Sequence, residues 1–264
     1  MTISVNAVIL DWAGTTVDFG SRAPTHVFIE IFRERGVDIT SEEARGPMGR
    51  AKHEHIELIL NLPRVSKIWT QIHGAAPTRD DVMAMYADFL PLQKQILAAG
   101  SDVIPDVPKA IQSLRKEGIR IGSSTGYTRE LMDIVVPIAA AQNYSPDLVV
   151  CADEVRAGRP EPWMNLRNAE LLNVPVDSVI VVDDTLVGIE AGRNSGMKTV
   201  GVSMTGNELG LSLAEVRQLD PEELHTRLQS IEERFLSAGA DYVVTSVAEL
   251  PQLIRRISTS PKGR

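Results

Sequence analysis

Ala7-Val8-Ile9-Leu10-Asp11-Trp12-Ala13-Gly14-Thr15-Thr16-Val17-Asp18 is the stretch that decides the fold. Four consecutive apolar residues stop at a carboxylate, and a glycine-containing turn follows. A short run that is apolar at every position suits a strand buried on both faces, as in a parallel sheet. Similar runs recur at 119–123, 148–151, 179–182, 199–202 and 242–245. Between most of them lie segments with helical spacing. Leu131, Ile134, Val135 and Ile138 share one helical stripe; Ala110, Ile111 and Leu114 share another, with Gly118 as a C-terminal stop. Strands alternating with helices predict right-handed βαβ units and a doubly wound, Rossmann-like α/β sheet.

Residues 22–99 break this rhythm and carry almost no strand signal. Pro24 opens a helix with Val27, Phe28, Ile31 and Phe32, closed near Gly36. Thr40 or Ser41 can cap the next. Thr78-Arg79-Asp80-Asp81 resembles a capping box ahead of Val82, Tyr86, Phe89 and Leu90. The sequence therefore predicts a core domain from 1–21 and 100–264, with a helical cap domain, 22–99, inserted after the first strand and its loop. Gly100 to Pro108 reads as the return linker, and the charged tail 255–264 as frayed.

Composition narrows the function classes. The 264 residues include 27 Lys+Arg and 35 Asp+Glu, a net charge of −8. Nucleic-acid binding needs a basic surface to replace counterions, so it is not expected. Cys151 is the single cysteine, which excludes an internal disulfide and a cysteine-based zinc site. No apolar run approaches the ~18 residues of a membrane span, and nothing in the first ten residues reads as a signal peptide. The expectation is a soluble, cytoplasmic protein.

In an open α/β sheet, ligands gather at the carboxyl ends of the strands. Four such ends carry polar residues. Asp11 can attack an electrophile, or merely cap its turn. Ser123-Ser124-Thr125-Gly126-Tyr127 offers a hydroxyl and backbone amides for a phosphate, or an ordinary helix cap. Gly158-Arg159-Pro160 holds an arginine in a stiff loop, as a fixed cation or a surface side chain. Asp183-Asp184 places two carboxylates side by side, which is costly unless a cation offsets their repulsion; oxygen ligands of this kind suit Mg²⁺.

Each signal alone says little, but the order Asp, Thr, Arg, paired acids, each at a strand end, resembles the haloacid dehalogenase-like superfamily of phosphotransferases. The likeness sharpens to the phosphonoacetaldehyde hydrolase (phosphonatase) family. It is carried by 11–18, by Thr125-Gly126-Tyr127-Thr128-Arg129-Glu130, by Gly158-Arg159-Pro160-Glu161-Pro162-Trp163, and by Pro47-Met48-Gly49-Arg50-Ala51-Lys52-His53-Glu54-His55. It runs nearly end to end. The resemblance implies C–P cleavage of phosphonoacetaldehyde to acetaldehyde and phosphate, with Mg²⁺, in a homodimer. By position, Asp11 would be nucleophile and metal ligand, Ala13 would give its carbonyl to the metal, and Asp184 would be the other carboxylate ligand, with Asp183 next to it. Lys52 would form a Schiff base with the aldehyde. Thr125 and Arg159 would bind the phosphoryl group, with His55 and Tyr127 as supporting residues. One departure stands out: the family often has Gly before the metal Asp and a further Asp four residues on, where this chain has Asp183 and Gly188.

Two residues separate the readings. Phosphatases of this superfamily place a second Asp two residues after the nucleophile, to protonate the leaving oxygen. Ala13 cannot do so, which weighs against a phosphatase or phosphomutase while leaving a non-catalytic binding protein open; a haloacid dehalogenase would not need the paired acids. Lys52 favours activity. Carbon is a poor leaving group, and an imine on the neighbouring carbonyl would accept the electron pair. Such a lysine must be partly neutral, so desolvation or neighbouring cations must lower its pKa, and Arg50, His53 and His55 could supply such a field.

Overall fold

The computed structural model describes residues 4–259. Six strands, β1 (Ala7–Leu10), β2 (Arg120–Thr125), β3 (Leu148–Cys151), β4 (Val179–Asp183), β5 (Lys198–Val202) and β6 (Tyr242–Val244), form one parallel sheet in the order β3-β2-β1-β4-β5-β6. Helices flank it: α6 (Val107–Lys116), α7 (Arg129–Ala141), α8 (Trp163–Leu172), α9 (Leu186–Asn194), α10 (Leu213–Gln218), α11 (Pro221–Ala238) and α12 (Leu250–Thr259), with a further group of helices inserted between β1 and α6. Alternation along β1 sends Val8 and Leu10 to a cluster with Ile111, Leu131 and Ile257, and Ala7 and Ile9 to one with Ala169 and Leu172. Both faces are therefore covered, as an all-apolar strand requires.

The insertion consists of α1 (Arg22–Arg33), α2 (Ser41–Arg45), α3 (Lys52–Leu60), α4 (Pro63–His73) and α5 (Arg79–Gly100). These helices enclose a cluster of their own: Val27, Phe28, Ile31 and Phe32 of α1 against Ile56 and Ile59 of α3 and Val82, Met85 and Phe89 of α5. Each such side chain contributes roughly 1.5–3 kcal/mol on burial. Thr40 and Thr78 both form capping boxes.

Three local expectations are corrected. α1 starts at Arg22 rather than Pro24, because the Asp18 carboxylate accepts from the N–H groups of Arg22 (3.1 Å) and Ala23 (3.0 Å). β2 runs on to Thr125, because Ser124 and Thr125 pair with Val150 and Cys151. The tail is helical as far as Thr259, since Leu253, Ile254 and Ile257 bury one face of α12; 260–264 lie outside the described residues.

Candidate active site

Strand register assembles the site. Leu10 lies level with Ser123 on one side and Val182 on the other, so Asp11, Ser124 and Asp183 leave the sheet side by side. Asp11, Asp183 and Asp184 are all buried, and each offers an oxygen within 4.8 Å of the others. The buried guanidinium of Arg159 binds this group: Nη2 donates to Asp11 Oδ1 (2.6 Å) and to Ser124 Oγ (3.0 Å), and lies 3.1 Å from Asp183 Oδ2. Asp184 Oδ1 accepts from the Thr15 hydroxyl (2.9 Å) and Oδ2 from the Asn207 N–H (2.7 Å). Asp183 Oδ1 accepts from the N–H and hydroxyl of Thr185 (2.9 and 2.7 Å).

Burial, assisted by the negative charge of Asp11, pushes the Asp183 carboxyl up to about 6 against the pull of Arg159. Burial and the charges of Asp11 and Asp183 hold the Asp184 carboxyl well above the usual carboxylate range. Three buried acids against one guanidinium leave an excess of negative charge. All-oxygen ligands in that setting can hold a divalent cation. The Ala13 carbonyl, which receives no hydrogen bond among the described residues, fits the same donor set.

Across from the carboxylates, α3 begins with Lys52, which is 4 % exposed. Its Nζ lies 5.0 Å from the centroid of the Tyr127 ring and 5.5 Å from that of Phe28, and it makes no hydrogen bond or ion pair among the described residues. Burial pulls its pKa down to about 8; Asp11 opposes the fall and Arg159 adds to it. Of the two causes the sequence left open, burial is the larger, and the cation that adds to it is Arg159 in place of Arg50, His53 or His55. His55 is itself buried, stacked on Phe28 with centroids 3.8 Å apart, and burial and the Lys52 charge hold it neutral. Its Nε2 is 2.8 Å from the Ala44 carbonyl, which can only accept, so Nε2 carries the proton and Nδ1 a free lone pair. Thr125 Oγ1 accepts from the Tyr127 N–H (3.1 Å) and keeps its own proton to donate. The Tyr127 hydroxyl is buried beside the Gln93 amide, and burial keeps it protonated.

A model of haloacid dehalogenase-like hydrolases matches residues 5–196. A phosphonoacetaldehyde hydrolase of Bacillus cereus is 46 % identical over 256 residues, 97 % of this chain and 97 % of its own length. The chain belongs to the phosphonoacetaldehyde hydrolase family. It is accordingly a hydrolase of the haloacid dehalogenase-like superfamily. The chain also matches a bifunctional phosphonoacetaldehyde hydrolase/aminoethylphosphonate transaminase of Clostridioides difficile, at 46 % identity over 96 % of this chain but only 40 % of that one. A crystal structure of a phosphonoacetaldehyde hydrolase-like protein from Oleispira antarctica superposes with a TM-score of 0.95 at 42 % identity, over 98 % of this chain and 94 % of that one.

Against this family, the Asp183 and Gly188 departure has a steric reading. A Cβ on Gly188 would stand 2.0 Å from Asp183 Cγ and 2.1 Å from Oδ2. The carboxylate at 183 thus fills the space a side chain at 188 would need.

Asp11, Lys52, His55, Thr125, Tyr127, Arg159, Asp183 and Asp184 are all buried here, with Ala13 in the turn after Asp11, whereas His53 is exposed. Sequence reasoning missed Thr15, Thr185 and Asn207, which hold the acids, and Gln93 of α5, which is buried against the Tyr127 hydroxyl. Their only sequence signal is that of ordinary turn and helix residues.

Proposed function

We propose that the enzyme hydrolyses the C–P bond of phosphonoacetaldehyde to acetaldehyde and phosphate. The carrying observation is Lys52: a buried lysine without a counter-ion, its pKa near 8, facing the charges of Asp11 and Arg159. At pH 7 about a tenth of such a lysine is neutral. In this reading 1–21 and 100–264 form the core domain, and 22–99 a cap that closes over it.

The neutral Lys52 amine attacks the aldehyde carbon, and the carbinolamine loses water to give an iminium. Asp11 then attacks phosphorus. The C–P bond breaks, its electron pair enters the iminium, and an enamine and an aspartyl phosphate result. Water releases phosphate from Asp11. Protonation of the enamine at carbon and hydrolysis of the imine release acetaldehyde and restore Lys52. Thr125 and the remaining N–H groups of Arg159 bind the phosphoryl oxygens. Tyr127 and His55, neutral in this setting, shape the lysine's surroundings without adding charge. Asp11, the Ala13 carbonyl and Asp184, with Asp183 beside them, would hold Mg²⁺, whose charge offsets repulsion between the carboxylate nucleophile and the phosphonate dianion. Ala13 weighs against an oxygen leaving group, which would need an acid there.

A cytoplasmic homodimer belongs to the same reading; exposed Leu58, Ile72 and Met83 on the cap helices supply apolar surface for pairing. Among the described residues no helix is long and apolar enough to cross a membrane. The test is incubation with phosphonoacetaldehyde and Mg²⁺, assaying both products. Equal release of phosphate and acetaldehyde, lost on chelation, is expected. Phosphate from common esters with none from the phosphonate would overturn the assignment.

A further inference from the structure

Arg45 closes α2 on the insertion, yet its guanidinium ends in the sheet domain. Nη1 donates to the carbonyl of Gly20 (2.8 Å) and to Asn207 Oδ1 (3.3 Å), and Nη2 to the carbonyl of Gly210 (3.1 Å). Asn207 answers through Nδ2 to the Arg45 carbonyl (3.4 Å), and its N–H holds Asp184. The socket is built to size: a Cβ on Gly210, where φ is +69°, would lie 2.8 Å from Arg45 Cζ. The acids Asp18, Asp184 and Glu208 face the guanidinium. The anchored segment matters too. Gly20 and Ser21 join the core to α1, and Asp18, Gly20 and Ser21 all have positive φ, so the chain turns sharply where the insertion begins. Of the other arginines lining the same cleft, Arg227 pairs with Glu223 and Arg234 with Glu208 within the sheet domain, while Arg22, where the insertion begins, pairs with Glu215.

We propose that Arg45 is a positioning residue, a latch that seats helices 22–99 on the sheet domain and so keeps Lys52 within the Asp11 site. This rests on the reading of 22–99 as a closing cap. Opening must withdraw the guanidinium from the carbonyls of Gly20, Ser21 and Gly210 and from Asn207 Oδ1 at once, and closing re-forms these together with the bond from Asn207 Nδ2 to the Arg45 carbonyl. One short loop thereby registers the cap on one side and the Asp184 carboxylate on the other.

The test reads the accessibility of Lys52, not turnover. The folded protein is treated with an amine acylating reagent, and the rate at Lys52 is measured by peptide mass spectrometry against exposed Lys109. Arg45→Ala should raise the Lys52/Lys109 ratio about tenfold or more, the change expected when hydrogen bonds to a charged group are removed from a two-state equilibrium. Gly210→Ala, which plugs the socket from the other domain, should do the same, and the double variant should add little to either. Arg45→Lys, which keeps the charge but only a point donor, should fall between. An unchanged ratio in Arg45→Ala, or in Gly210→Ala should the first not fold, overturns the latch. The outcome is separable from the catalytic reading: a wild-type protein that turns over no phosphonate would end that reading, while the labelling would still report on Arg45.

Discussion

Replacing Lys52 with methionine should make the protein more stable while abolishing its activity. The magnitude follows from the burial of the ammonium group. Its pKa falls from 10.5 to about 8 in the folded state, and each unit corresponds to about 1.4 kcal/mol, so holding this proton costs the fold about 3 kcal/mol at pH 7. Methionine has a similar length and no charge to desolvate. For a chain of this size the gain should appear as a rise in Tm of about 5–10 °C. The sign of the pH dependence is fixed by the same shift. Between pH 8 and 10.5 the unfolded chain binds more protons at this position than the folded one, so wild-type stability rises with pH across that window. Below pH 8 the full cost persists; above 10.5 it vanishes. Lys52→Met should lack that rise, and the two proteins should converge near pH 10.5. Urea melts at pH 7, 9 and 10.5 would measure this. A variant less stable than the wild type at pH 7, with no convergence, would refute the idea that the lysine is held against a desolvation cost.

Asp11→Asn should eliminate turnover with melting behaviour near that of the wild type, because asparagine matches the shape of aspartate and its amide oxygen can still accept from Arg159; phosphate-release assays and thermal melts would check it. Gly188→Ala should destabilise by several kcal/mol and reduce divalent-cation binding, since its methyl group would collide with the Asp183 carboxylate; calorimetric titration with Mg²⁺ should show the weaker binding, and near-wild-type affinity would argue that Asp183 can move away freely.

Much of the sheet was legible because its strands are short apolar runs that stop at polar residues. The end of β2 is hidden because Ser124 and Thr125 carry no hydrophobic signal, although cross-strand pairing with β3 keeps them extended. The α12 tail was misread because Arg255 and Arg256 outweigh the buried stripe of Leu253, Ile254 and Ile257. At the site, Asp11, Lys52, Thr125, Arg159 and the paired acids could be picked out since each stands in a distinctive local motif. Thr15, Thr185 and Asn207 could not. Their roles exist only through contacts such as Thr15 with Asp184, 169 residues apart in sequence. Arg45 is a similar case, an unremarkable helix-end arginine until folding brings Gly20, Asn207 and Gly210 around it. The cation that acts on Lys52 is hidden for a related reason. Arg159 approaches it only through the way the insertion meets the sheet, while Arg50, His53 and His55 are visible beside it in the sequence.

The central claim is that Lys52 condenses with the substrate's aldehyde, and borohydride reduction tests it most directly. Treating the protein with phosphonoacetaldehyde and borohydride should inactivate it, and peptide mapping should place the added mass on Lys52. Lys52→Arg should take up no label and be nearly as inactive as Lys52→Ala, because arginine keeps the charge but cannot form an imine. A label on another lysine, or no label under conditions where phosphate is being released, would contradict the account.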